Sequence, residues 1–137
     1  MTWLVQSMKW IMFTSGFLTC TMIYAAIAPQ AALQATFGEA IDGPVADLVV
    51  RNWGVLIALV GGMLMYGAFN LVVRPLVLTV AGLSKVTFIG LLMIGEDSFL
   101  DHQAGVAIVS DLVQVVLFAA YLFAIRTRSA ASIGGDA

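Results

Sequence analysis

From Asn52 to Val73 the chain carries no Asp, Glu, Lys, Arg or His, and a run of that length leaves few options for folding. At about 1.5 Å rise per residue, roughly 20 apolar residues cross the ~30 Å hydrocarbon core of a bilayer. In lipid every backbone N–H and C=O must be satisfied within the protein, so a single run of this kind becomes a transmembrane helix. Three more predominantly apolar runs of similar length lie at 10–28, 76–94 and 104–125. The expected fold is all-α: one integral membrane domain over residues 1–137, a bundle of four transmembrane helices with a short interfacial helix after the first and a flexible tail at 129–137. Composition agrees, because 61% hydrophobic and 10% charged residues leave too little polar surface to coat a soluble globule.

The same numbers exclude whole classes of function. A net charge of −2 with no dense Lys/Arg cluster offers no surface for nucleic acid and no anionic-lipid switch. Cys20, the single cysteine, sits inside the first apolar run, which rules out a disulfide framework, a redox pair and a thiolate metal site. One histidine, His102, cannot supply a bis-histidine haem. Met63 and Met65 read as packing residues. No GxSxG or HExxH motif is present, so no catalytic residue and no metal site are assigned. Glu96, Asp97, Asp101 and His102 lack an ordered ligand spacing and read as a solvated acidic loop.

Taken in order, the first run is longer than a signal-peptide core and is expected to remain as a span. Pro29 to Phe37, with Gly38 just past its end, predicts a short helix; Leu33 and Phe37 share one face and Gln30 and Gln34 another, as in a helix lying in the interface. Asp42, Gly43 and Pro44 open the next helix, where Asp47 and Arg51 are spaced to pair at i,i+4. Within it Gly54, Ala58 and Gly62 form a small-residue stripe for close helix packing. Arg74 and Pro75 predict a tight turn that makes the second and third spans antiparallel neighbours. Lys9, Arg74, Arg126 and Arg128 flank one side while most acidic residues flank the other, so the positive-inside rule places both termini in the cytoplasm of a bacterial inner membrane.

Two ionisable residues interrupt the last two runs: Lys85 in TVAGLSKVTFIGLL and Asp111 in GVAIVSDLVQVVLF. In antiparallel neighbours their depths differ by about 3 Å, within reach of a lysine side chain. Gln114 lies one turn from Asp111 on the same face, and Tyr121 two turns beyond Gln114. Arg51, with Glu39 or Glu96, is placed at the mouth of such a site. A mid-membrane charge costs about 2.5–3.5 kcal/mol on insertion scales and therefore faces the bundle interior and pairs. Two readings follow. The pair is either a structural device that orients spans three and four, or the wall of a polar cavity for a proton, small anion, quinone or lipid headgroup.

The block VVRNWGVLIALVGGMLMYGAF, followed by the Arg74-Pro75 turn and LSKVTFIGLL, resembles the small four-helix membrane proteins of the DoxX-like group over residues 45–94. The resemblance implies polar positions inside the bundle at Arg51 and Lys85, and kinship with small subunits of quinone-linked oxidoreductases. With no cofactor residues in the chain, any redox role rests on a larger membrane complex, quinone or lipid being the ligands implied; a homo-oligomer is the other assembly expected. The reading favoured by the sequence is a non-catalytic accessory subunit or small-ligand-binding bundle. A small transporter or proton-coupled carrier that uses Lys85 and Asp111 is the alternative.

Overall fold

A computed structural model describes residues 2–95 and 101–134. Its elements are α1 (Thr2–Cys20), a 3-10 turn (Thr21–Ile23), α2 (Tyr24–Ile27), α3 (Pro29–Phe37), α4 (Pro44–Phe69), α5 (Arg74–Ile94) and α6 (Gln103–Gly134). Among the described residues four segments are long and apolar enough to cross a membrane: Gln6–Ile27, Pro44–Phe69, Arg74–Ile94 and Gln103–Ser129. The first joins α1, the 3-10 turn and α2 into one rod. Its threonines bond back to the helix, Thr19 Oγ1 to Ser15 O at 2.8 Å and Thr21 Oγ1 to Leu18 O at 2.6 Å, the kind of back-bonding that bends a helix.

Helix ends follow the local chemistry. Pro29, Pro44 and Pro75 occupy first-turn positions of α3, α4 and α5, where the missing N–H costs nothing. Gly38 closes α3 at φ 80° with its N–H on Gln34 O at 3.0 Å, a left-handed cap that favours glycine. Two expectations change here. Arg74 and Pro75 are not the turn but the first residues of α5, and the connection is Asn70–Val73, held by Asn70 Oδ1 accepting from the Val72 N–H at 3.1 Å. The fourth span also continues as helix to Gly134, through most of the segment expected to be a flexible tail; residues 135–137 lie outside the described residues.

Around the bundle α1 packs on α4, α4 on α5, α5 on α6, and α6 returns to α1. The α1/α4 seam is the tightest. A Cβ on Gly61 would lie 2.7 Å from both Cys20 N and Gly16 O, and one on Gly54 would lie 2.8 Å from Ala26 N. Cys20 Sγ reaches Ala58 O at 3.4 Å. The stripe therefore runs Gly54, Ala58, Gly61, and Gly62 faces open space with no atom within 4 Å of a would-be Cβ. The phase of the helix explains the correction: at about 100° per residue Gly61 returns to within ~20° of Gly54, whereas Gly62 has drifted by ~80°.

Lys9 lies over the Phe69 ring, 4.6 Å from its centroid, at the end of the bundle that also carries Arg74 and, beyond Tyr121, Arg126 and Arg128; this is the basic end. Glu39, Asp42, Asp47 and Asp101 gather at the other, acidic end. There α3 crosses the bundle against α2, α4 and α6, burying Ala32 and Leu33 and setting Phe37 on Trp53 at 6.1 Å between centroids.

Candidate functional site

The centre of the bundle is a polar layer built from three spans. Lys85 Nζ donates to Asp111 Oδ1 at 2.5 Å, with side chains 10% and 16% exposed. One turn along α6, Gln114 accepts a hydrogen bond from the Ser15 hydroxyl of α1 and donates from Nε2 to Ser110 Oγ at 3.0 Å. The chain Ser15–Gln114–Ser110 thus ties the first span to the fourth, and the ion pair ties the fourth to the third. The second span adds no polar side chain at this depth; its glycines meet the backbone of the first span directly.

Pairing leaves part of the site unused. An ammonium carries three N–H donors, and Asp111 is the one protein acceptor to Lys85 among the described residues. Gln114 likewise commits one of its two amide protons. Donors left over in a low-dielectric interior are costly, and they mark where a small hydrogen-bonding molecule is held most favourably.

The layer separates two unlike halves. Toward the basic end each span contributes a side chain with at most 1% exposure, Met12, Leu64, Leu78 and Phe118, and together they form a closely packed plug. Toward the acidic end the interior is looser. A groove of about 320 Å³ opens there between α3, α4 and α5, lined by Leu33, Phe37, Val50, Trp53, Phe88 and Leu92 among others. Neither Lys85 nor Asp111 lines it.

Of the five residues proposed from sequence, Lys85, Asp111 and Gln114 come together. Arg51 and Tyr121 do not join them. Arg51 Nη1 donates to Ala26 O at 2.5 Å and Ile27 O at 3.4 Å, capping the end of the first span. Asp47, its expected partner, accepts from Gln30 Nε2 at 2.7 Å and so pins α3 to α4. Tyr121 lies beyond the plug, its hydroxyl 3.5 Å from Arg74 Nη1. Arg74 is 4% exposed, with Nε on Gly67 O at 3.1 Å and Nη2 on Ala68 O at 2.7 Å, where the guanidinium satisfies the last carbonyls of α4 and the negative end of its dipole. Both arginines therefore cap helix ends instead of lining a ligand site.

In the acidic loop, Glu96 and Asp97 lie outside the described residues, Asp101 is exposed, and the His102 ring packs over Gly38 at the end of α3. The sequence does not single out Ser15 or Ser110, and it presents Arg74 as a turn residue and flanking charge, not as a buried helix cap. The spacing of Ser110 to Gln114, one turn apart beside Asp111, is the signal that would have found one of them. No protein-family model matches the chain, and neither a curated protein nor a solved structure matches it.

Proposed function

We propose that this chain is a non-catalytic, multi-pass protein of a bacterial inner membrane that binds a small ligand at the Lys85–Asp111 layer, with its basic end and both termini in the cytoplasm. The observation that carries the reading is the paired but incompletely satisfied polar layer at mid-membrane, where Lys85 and Gln114 keep donors that no protein group among the described residues takes up. A quinone or a lipid supplies the oxygen acceptors those donors need. The likeness to DoxX-like subunits supports placing the bundle beside a larger, quinone-linked membrane complex as an accessory subunit. The carrier alternative requires a route on both sides of the pair, and the plug of Met12, Leu64, Leu78 and Phe118 speaks against one.

The test compares small molecules that co-purify with the wild-type chain in mild detergent and with the double variant Lys85→Met/Asp111→Leu, which removes both charges together and so avoids stranding either in the membrane. Mass spectrometry of the extracts is expected to find a molecule bound to wild type and depleted at least tenfold from the folded double variant. Equal retention by both proteins would make the pair purely structural.

A further inference from the structure

We infer that the groove between α3, α4 and α5 is the side portal of the Lys85 site, and that its ligand is an uncharged amphipathic molecule dissolved in the bilayer: an apolar chain with a hydroxyl or carbonyl head. This rests on the ligand-binding reading above and adds the route and the chemical class. Three observations lead to it.

The first is position. Lys85, Phe88 and Leu92 follow one another at helical spacing on the bundle-facing side of α5; Lys85 and Leu92 are buried and Phe88 half-buried. Phe88 lines the groove, so the groove begins one turn, about 4.5 Å, from the lysine backbone. The second is shape. Helices α4 and α5 are held together at the basic end, where a Cβ on Gly67 would lie 3.3 Å from Val77 and Arg74 bonds across the turn. At the acidic end the groove parts them, and among the described residues α3 covers it with Leu33 and Phe37. A solute in the hydrocarbon reaches the pair sideways through this gap, whereas the plug closes the way from the basic end.

Charge is the third. Lys85 and Asp111 neutralise one another, Ser15, Ser110 and Gln114 are neutral, and the groove residues are aliphatic or aromatic. An ion entering here would remain uncompensated in low dielectric, while a neutral oxygen accepts the spare N–H groups of Lys85 at no such cost. The cavity is at the lower end of the range of about 300–1,000 Å³ seen for small-molecule sites, enough for the head and the first part of a chain, with the rest left in lipid.

Trp53 lines the groove and provides the readout. In the full chain carrying Trp3→Phe and Trp10→Phe, Trp53 is the sole tryptophan, and bromine on a bound chain quenches its fluorescence on contact. Three bromohexadecyl probes differ only in the head: the alkane, the alcohol and the phosphate monoester. The alcohol is expected to quench saturably, with half-saturation at least tenfold below that of the alkane and of the phosphate, and Lys85→Met/Asp111→Leu should bring the alcohol to the level of the alkane. Equal quenching by alcohol and alkane would make the groove a site for any lipid chain and overturn the link to Lys85. Tighter quenching by the phosphate would overturn neutrality. Absence of saturable quenching by all three would overturn the portal, and the co-purification test would still decide separately whether the pair binds anything.

Discussion

Single residues set the energetics of the polar layer. Removing Asp111 alone leaves an unpaired ammonium in the membrane, a loss in the range of about 2.5–3.5 kcal/mol by insertion scales, whereas removing both charges removes the problem with its cause. Asp111→Leu is therefore expected to destabilise the bundle strongly in a denaturation assay, and Lys85→Met/Asp111→Leu to recover most of the loss; a double variant no more stable than the single one would show that the pair does not act as a unit. Ser15→Ala removes one interhelical hydrogen bond, and such bonds in membranes average about 0.6 kcal/mol with a maximum near 1.7. A smaller loss within that range is expected in the same assay. These magnitudes also explain what could be read from the sequence. Lys85 and Asp111 stand out because a charge in an apolar run is expensive and needs a reason. Ser15 is cheap to bury, bonds to its own helix as readily as to another, and so carries no signal until α1 is seen against α6. Arg74 misleads in a different way: an arginine before proline at the end of a run reads as a stop at the membrane surface, and nothing local reveals that its guanidinium turns back to cap the preceding helix.

At the scale of elements, the four spans and the short α3 were legible because apolar length and the Pro and Gly boundary residues act locally. The packing seam was only partly legible, since a four-residue repeat and the true 3.6-residue pitch part company within two turns. The neighbouring glycines 61 and 62 allow a direct comparison. Gly61→Leu puts a side chain where a Cβ would already lie 2.7 Å from the backbone of α1, so α1 must move away from α4 and the seam between them opens. Gly62→Leu adds a side chain facing open space, and leucine is a better helix former than glycine by somewhat less than the ~0.8–1.0 kcal/mol that separates alanine from glycine. The first variant is expected to lower the melting temperature of the purified protein markedly and the second to leave it unchanged or raise it. The opposite order would place the seam on the other face of α4. The same close approach explains why the second span carries no polar group at the layer: its task there is to be thin.

On the scale of the whole molecule, the bundle is asymmetric along its axis. Among the described residues the largest fully buried side chains, Met8, Met12, Leu64, Leu78 and Phe118, all lie between the polar layer and the basic end, so that half has the packing of a solid core. Beyond the layer the larger buried side chains, Leu33, Val50 and Leu92, each keep 7% exposure, and α3 is tethered there by Gln30 to Asp47 at 2.7 Å and to Ile41 O at 2.8 Å. Such a bundle is expected to admit a reagent from the acidic end and not from the basic end, and cysteine accessibility measures the difference. On a Cys20→Ser background, Ala107→Cys stands on the half-buried face of α6 toward the acidic end, and Ala81→Cys stands among the plug residues with 0% exposure. A small charged methanethiosulfonate reagent is expected to modify Ala107→Cys when supplied from the acidic side, and to leave Ala81→Cys unmodified from either side. Intact cells and inverted vesicles then report which side that is. Labelling of Ala107→Cys in intact cells agrees with the basic end in the cytoplasm, as the positive-inside rule requires, and labelling in inverted vesicles alone would reverse the orientation. Modification of Ala81→Cys from the basic side would mean that the plug opens, and the reading would then move from a one-sided binding bundle toward a carrier, because a carrier needs the pair to face both ends in turn.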